Sequence, residues 1–339
     1  MPIPLPVGRI LPGVEWAREK GSDKSGRRLY NDLAKTFPGR PGMTILFWSV
    51  KKMSLFQIVT DSCCDFPAEE YARLNLSVVP LSVEFRGETS DDRNDDSLKT
   101  MYAALRAGEA AKTAAVNPER WREAMEPWLK QGRDVLVLAF SSGLSTTYQS
   151  ARIAGEELEE LYPDRRIRVV DTLSASLGEG LLVWYACAKR DEGLTLDETA
   201  DWAEENKFHL CHWFTVDDLF YLKRGGRISG ATAVMGTMLN IKPVLHMDDE
   251  GHLISVGKAR GRKAAIQALA EKTRELGAGY DNSTMFISHG DCLEDAEYLA
   301  KLLKSKYGVK NVFISYVGAV IGSHSGPGTL ALFFLGKHR

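Results

Sequence analysis

Strand-length apolar segments alternate with amphipathic helical segments from residue 54 onward, and this alternation constrains the fold more than any other feature of the sequence. Strands that alternate with helices of this length form a largely parallel sheet whose two faces are covered by helices. The predicted strands of this part are LFQIVTDS, LSVVPLSVEF, DVLVLAF and RIRVVDT, and the predicted helices cover 97–107, 118–130, 148–162 and 174–189.

A proline marks each of two further boundaries in this part of the chain. Asp65 is predicted to cap the helix FPAEEYARLN, with Pro67 in the first turn of that helix. Pro80 interrupts LSVVPLSVEF and lacks the N–H that a central strand requires, so this segment is either one strand or a pair of short ones.

The pattern changes after about residue 207, where hairpin-like segments replace the regular alternation. HLCHWFTVDDLFYLKRGGRISG predicts a strand, a short helix and a glycine turn. KPVLHMDDEGHLISVGKAR predicts a hairpin that turns at DDEG. Helices near 261–275 and 292–306 flank the strand STMFISHG, and the strand NVFISYVG follows them. We therefore expect a second domain of α+β type.

Residues 1–53 differ in composition from the rest of the chain. They carry ten Lys and Arg against four Asp and Glu, whereas the whole chain has a net charge of −2. Periodicity is weak in this segment, and Pro and Gly are frequent. We expect a disordered extension, with a small accessory domain as the alternative. The expected organisation is therefore an extension at 1–53, an α/β domain at 54–207 and an α+β domain at 208–339.

Charge, hydropathy and cysteine spacing exclude several classes of protein. No basic stripe accompanies the net charge of −2, so nucleic acid is not an expected partner. No apolar run approaches the ~20 residues that are needed to span a bilayer. The five cysteines lack C-x-x-C spacing, which indicates reduced thiols and a cytoplasmic protein.

Three polar segments, TDS, SSGLSTT and DTLSASLG, follow strands of the predicted parallel sheet. Ligands of such sheets bind beyond the carboxyl ends of the strands, so we expect these segments to meet on one surface. SSGLSTT places five hydroxyl groups between a strand and a helix, and Gly143 is expected to aim backbone N–H groups inward through an unusual conformation.

This hydroxyl loop suits an anion at the N-terminus of a helix. It contains no Lys or Arg, and the chain has neither a P-loop nor a G-x-S-x-G elbow. A carboxylate is therefore easier to satisfy there than a triphosphate. The alternative is that Ser145 caps the following helix and the other hydroxyl groups are solvated.

Glycine-rich segments of the second half contribute Arg227 in KRGGRIS and His324 in IGSHSGPGTL. Each is a candidate site residue, and an exposed turn residue is the alternative for both. His209, Cys211 and His212 raise the possibility of a metal site. A strand would direct His212 away from the other two, and no fourth ligand has suitable spacing, so no metal is expected.

The segments IVTDSCCDF, AKTAAVNP, LAFSSGLSTTYQSA, VVDTLSASLGEG, LKRGGRIS, LNIKPVL, GKARGRKAA and IGSHSGPGTLAL occur in this order, and together they resemble the DegV family of bacterial fatty-acid-binding proteins. The resemblance extends from about residue 55 to the C-terminus. It implies two α/β domains with a fatty acid in a tunnel between them. In some members, it implies further, a separate kinase subunit phosphorylates the carboxyl group, and the acyl phosphate is used in phospholipid synthesis.

The resemblance assigns roles to individual residues. Thr113 and Ser145 would hold the carboxylate, and Arg227 and His324 would support phosphoryl transfer. Ser142 from the hydroxyl loop, together with Asp61 and Ser62 from the TDS strand end, completes the expected carboxylate-binding set. Two positions depart from the family pattern: Thr146 stands where glycine is usual, and Ala114 where serine is usual.

Three functions follow as hypotheses. The first is a non-catalytic lipid-binding subunit that presents a long-chain fatty acid to an ATP-dependent kinase and needs no cofactor. The second is a serine hydrolase with Ser145 as nucleophile and His324 as base. The third is a scaffold or regulator in which the bound lipid is structural.

Overall fold

The computed structural model describes residues 56–92, 97–228 and 240–339. All of these residues belong to one compact unit, 53–339. The extension predicted for residues 1–53 therefore lies outside the described residues. Within these residues, the strands are β1 (Phe56–Asp61), β2 (Ser77–Val79), β3 (Ser82–Phe85), β4 (Glu88–Asp91), β5 (Ala111–Ala114), β6 (Asp134–Ala139), β7 (Ile167–Asp171), β8 (Leu210–Thr215), β9 (Ile241–Met247), β10 (Leu253–Arg260), β11 (Thr284–His289), β12 (Asn311–Tyr316) and β13 (Leu330–Leu335).

The helices of the described residues connect these strands and cover the sheets. They are α1 (Ala68–Arg73), α2 (Ser97–Arg106), α3 (Pro118–Lys130), α4 (Thr147–Leu161), α5 (Leu177–Asp191), α6 (Leu196–Asn206), α7 (Phe220–Arg224), α8 (Arg262–Leu276), α9 (Leu293–Tyr307) and α10 (Ala319–Ser325). Short 3₁₀ turns occupy Ser62–Cys64 and Lys207–His209.

The predicted parallel sheet is present, with strand order β2-β1-β6-β7. Every residue of β1 and β6 is buried, as expected for strands that are covered on both faces. Val59 and Val137 pack on the side of α3 and α4, whereas Ile58 and Leu138 pack on the side of α5 and α6. The α/β prediction for this part is confirmed.

The second half forms a six-stranded mixed sheet with the order β10-β9-β8-β13-β11-β12. All neighbours in it are antiparallel except β11 and β12. Helices α8 and α9 cover one face. Helix α5 contacts β8, β11 and β13 of this sheet and β6 of the parallel sheet, so it packs between the two sheets. The α+β character of this half is confirmed.

A third, antiparallel sheet of order β4-β3-β5 explains the break at Pro80. Strand β2 joins the parallel sheet and β3 joins the small sheet, so the predicted segment is a pair of short strands in two different sheets. Strands β4 and β5 were not predicted, because four-residue polar segments such as AKTA carry no apolar alternation.

Two local predictions are wrong. Asp65 has φ 54° and does not cap α1, whose N-cap is Pro67 without a side-chain hydrogen bond. The Asp65 carboxylate instead accepts a hydrogen bond from Ser176. The helix expected from residue 174 begins at Leu177, because Ser176 before it has φ 56° and ψ −149°, outside the helical region. The division between residues 207 and 208 falls in the 3₁₀ turn just before β8 and stays a prediction.

Candidate functional site

A cavity of about 460 Å³ lies where the parallel sheet, the six-stranded sheet and α10 meet. Its volume lies within the range of roughly 300–1,000 Å³ that is usual for small-molecule sites. Among the described residues that line it there is no Lys, Asp or Glu, and Arg227 supplies the one permanent charge of this set. Most of the wall is apolar: Leu81, Ala115, Phe140, Leu144, Ala175, Phe214, Leu222, Met247, Leu253, Val317, Val320, Ile321, Ala331 and Phe333.

The hydroxyl loop lies between β6 and α4 and lines this cavity through Ser142, Ser145 and Thr146. The Ser145 Oγ lies 2.8 Å from the Thr147 Oγ1 and accepts a hydrogen bond from the Thr147 N–H at 3.2 Å. Ser145 therefore satisfies one N–H of the first turn of α4, although the N-cap position itself belongs to Thr146. Ser145 therefore lines the cavity, as predicted, and also takes part of the helix-capping role that was the alternative prediction for it.

Gly143 is required by a close approach rather than by an unusual conformation. Its φ lies outside the left-handed region, so the expected conformational role is wrong. A Cβ at this position would lie 2.7 Å from the Gly251 carbonyl oxygen, at the tip of the β9–β10 hairpin. The Ser141 Oγ donates to the same carbonyl at 2.9 Å. The hydroxyl loop is thus held directly against the hairpin tip.

Thr113 and His324 meet at the cavity although 211 positions separate them in the sequence. The Thr113 Oγ1 lies 2.8 Å from the His324 Nε2, and both residues line the cavity. Thr113 lies on β5, and Ala114 next to it is exposed and not part of the lining, so this departure from the family pattern leaves the cavity wall unchanged. His324 lies in the last turn of α10 rather than on a loop.

Arg227 connects the hydroxyl loop to the glycine turn of the second half. Its Nε donates to the Leu144 carbonyl at 3.3 Å, and its Nη1 donates to the Gly225 carbonyl at 2.5 Å. A Cβ on Gly225 would lie 2.3 Å from the His324 Nδ1, so this turn also packs against the histidine ring. Arg227, His324, Thr113 and the hydroxyl loop therefore form one continuous polar cluster.

Burial determines the charge state of this cluster. Burial, and then the positive charges of Arg227 and Arg224, lowers the pKa of His324 to about 4. Burial also lowers the pKa of Arg227 from its usual value, but an arginine remains charged at neutral pH. The cluster thus presents one cation, a neutral imidazole and several hydroxyl groups, a set that can bind a single anionic group without a second fixed charge.

Asp61 and Ser62 are not among the residues that line the cavity. The Asp61 carboxylate accepts hydrogen bonds from the backbone N–H groups of Cys63 at 3.0 Å and Phe140 at 2.8 Å. The Ser62 Oγ donates to the Asp92 carboxylate at 2.9 Å. Their side chains serve the local structure, and this geometry offers no support for direct contact with a ligand carboxylate.

The three residues considered for a metal have other partners. His209 Nδ1 lies 3.1 Å from the Gly336 carbonyl, and Cys211 Sγ contacts the His338 carbonyl at 3.3 Å. In the part of the chain that the structure describes, no group of three or more His, Cys, Asp or Glu could hold a metal ion. His212 is instead a cavity residue that sequence reasoning missed, although its alternation with Phe214 on β8 places both on one face.

Comparisons with known proteins add to this geometry. The sequence profile of the DegV family, described as an uncharacterised protein family, matches residues 55–337. A DegV domain-containing protein of Clostridium perfringens is 47% identical over 286 residues, which are 84% of this chain and 98% of that protein.

Two solved structures share the fold. A DegV family protein from Thermus thermophilus, described for its fatty acid binding, has a TM-score of 0.75 and 32% identity, with coverage of 83% of this chain and 99% of that one. The fatty acid kinase B3 protein of Streptococcus pneumoniae, loaded with linoleic acid, has a TM-score of 0.72 and 23% identity over 83% of this chain and 99% of that one. Among the residues described for this chain, no helix is long and apolar enough to cross a membrane.

Proposed function

This chain belongs to the DegV family, and we propose that it binds a long-chain fatty acid in the cavity between its two larger sheets. The observation that carries this proposal is the combination of an apolar wall with one cluster of hydroxyl donors among the described residues of the lining. An amphiphile with one anionic head matches both properties. Burial of the chain supplies most of the affinity, at about 0.8 kcal/mol for each methylene group.

The polar cluster is proposed to hold the carboxylate. A buried carboxylate without partners is prohibitively unstable, so the head group must lie where donors converge. Thr113, Ser142 and Ser145 offer hydroxyl groups there, and among the described residues of the lining the permanent charge belongs to Arg227, which is already bonded to two carbonyls. Hydroxyl donors leave the carboxylate oxygens less tightly held than a bidentate ion pair would.

We propose further that a separate ATP-dependent kinase subunit phosphorylates this carboxylate. The fold is shared with a protein named as a fatty acid kinase component, and within this chain no P-loop sequence is present that would bind ATP. Arg227 and His324 lie beside the proposed head group, where an arginine can hold two oxygens of an incoming phosphoryl group. In this role the protein needs no cofactor of its own and works in the cytoplasm, where ATP is available.

The geometry does not favour a serine hydrolase. Ser145 Oγ is bonded to Thr147 Oγ1, and His324 Nε2 is bonded to Thr113 Oγ1, so the two residues do not form a nucleophile–base pair. The other His324 nitrogen faces Gly225 rather than a carboxylate that could orient the ring.

Native mass spectrometry of the purified protein, followed by organic extraction, tests the binding proposal. One copurified or added fatty acid per chain is the expected result. A protein that takes up no fatty acid would remove the proposal. Binding without acyl phosphate formation in the presence of the cognate kinase and ATP would favour the scaffold hypothesis instead.

The variant Ser145→Ala tests the position of the carboxylate. Its fatty acid affinity should fall by about 1 to 3 kcal/mol, the usual loss when a hydrogen bond to a charged group is left unmade. Affinity for the matching fatty alcohol should change less, because the alcohol has no charge. Ser305→Ala, on the surface of α9, is the matched control and should bind both ligands as the unmodified protein does. Equal losses for acid and alcohol would mean that Ser145 shapes the cavity and does not hold the head group.

A further inference from the structure

Helix α10 carries His324 and begins against a buried carboxylate. The Asp92 Oδ1 accepts hydrogen bonds from the N–H groups of Ala319 at 3.0 Å and Val320 at 3.4 Å, which are the first two residues of α10. Asp92 is 5% exposed. Because the first N–H groups of a helix have no partner within the helix, this carboxylate satisfies them and opposes the positive end of the helix dipole.

The carboxylate is itself held in place by the strand end that the sequence singled out. The Ser62 Oγ donates to the Asp92 Oδ2 at 2.9 Å and accepts the Leu81 N–H at 3.0 Å. The Asp92 N–H also bonds the Leu81 carbonyl at 2.8 Å. The TDS segment therefore affects the site indirectly, since Ser62 orients Asp92 and Asp92 accepts the first N–H groups of α10.

The middle of α10 and the chain just before this helix are also packed closely. A Cβ on Gly322 would lie 2.4 Å from the Tyr102 hydroxyl, and that hydroxyl donates to the Val317 carbonyl at 2.8 Å. With the helix packed so closely, its start determines where His324 meets Thr113 on β5.

We propose that Asp92 is a positioning residue that, with Ser62, sets the contact between His324 and Thr113 by fixing the start of α10. The inference rests on the proposed function for its catalytic consequence only. The structural consequence, displacement of the His324 ring from its buried position, does not depend on a fatty acid or a kinase.

The experiment compares Asp92→Ala, Asp92→Asn and Ser62→Ala by NMR titration of the histidine rings in protein freed of lipid. Asparagine keeps an oxygen that can accept from Ala319, so it should preserve the His324 titration, whereas alanine should move the pKa of His324 from about 4 toward 6.5. His246 is the internal control, because burial lowers its pKa as well and its ring stacks on Trp213 of β8.

Acyl phosphate formation with the cognate kinase is the second readout. Asp92→Ala should lower it at least tenfold, and Asp92→Asn should stay within about threefold of the unmodified protein. If Asp92→Ala does not fold, Ser62→Ala carries the test, with a smaller shift of the His324 titration in the same direction. An unchanged His324 titration in every folded variant overturns the proposal. A shifted titration in a protein that neither binds fatty acid nor supports phosphorylation would retain the positioning role and remove the proposed function.

Discussion

Replacement of Gly143 by alanine should separate the hydroxyl loop from the β9–β10 hairpin. The added Cβ would lie 2.7 Å from the Gly251 oxygen and 2.8 Å from the Glu250 oxygen. Both neighbours are backbone atoms, so no change of rotamer relieves the contact. Gly143 has an ordinary φ, and alanine therefore adds no backbone strain. The whole effect of the substitution should be steric.

The cost of this overlap should be about 1 to 3 kcal/mol in the free energy of unfolding, the range for overpacked sites. In a domain of this size that corresponds to a decrease in Tm of about 2 to 10 °C. Fatty acid affinity should fall as well, because Ser142 and Ser145 flank the displaced residue and line the cavity.

Urea unfolding of lipid-free protein and titration with a labelled fatty acid measure the two effects. Gly257→Ala is the matched control on the same hairpin, since its Cβ would lie 3.6 Å from the Val244 Cβ, an ordinary contact. That variant should stay within about 0.5 kcal/mol of the unmodified protein. If Gly143→Ala unfolds at the same urea concentration and binds with unchanged affinity, the contact between loop and hairpin does not organise the site.

Two further predictions concern charge. Arg227→Ala should leave fatty acid affinity within about threefold, or ~0.7 kcal/mol, and should reduce acyl phosphate formation at least tenfold, or about 1.4 kcal/mol, because the guanidinium is proposed to act on the incoming phosphoryl group. Arg152→Ala, which removes an exposed arginine of α4, is the control. A collapse of fatty acid affinity with unchanged turnover would mean that Arg227 binds the carboxylate instead. Burial raises the pKa of Asp61 from 3.8 to about 7, so the folded protein holds the proton of this carboxyl group more tightly than the unfolded chain does. The free energy of unfolding should therefore fall by up to about 4 kcal/mol as pH rises from about 4 to about 7. Asp61→Asn should lack this part of the pH dependence in urea titrations at pH 4.5 and 7.5, and equal dependence in both proteins would contradict the assignment.

The parallel sheet was predictable because its strands have a strong local signature. Apolar runs such as DVLVLA are buried on both faces, and the polar residues after them mark the strand ends. The cavity residues on those ends, Ser142 and Ser145, were therefore found from the sequence.

The rest of the site depends on contacts that no local pattern encodes. Thr113 lies on a four-residue polar strand whose pairing with Val83 is decided by the small sheet. The need for glycine at 143 arises from a hairpin more than 100 positions away. Ser62 directly follows strand β1, as the sequence predicts. Its hydroxyl group, however, bonds Asp92, a partner that only the folded chain brings near.

Strand β13 follows β8 to β12 in the chain and yet lies between β8 and β11 in the sheet. During synthesis, β8–β10 and β11–β12 therefore cannot join into one sheet until β13 has been made. Until then, each of the two groups of strands has an unpaired edge. Unpaired edges are templates for association with other chains, so the nascent protein is exposed to misassembly while the segment from β8 to β13 is being made. His324 precedes β13 by only a few residues, so the polar cluster cannot form before the chain has been made nearly as far as β13.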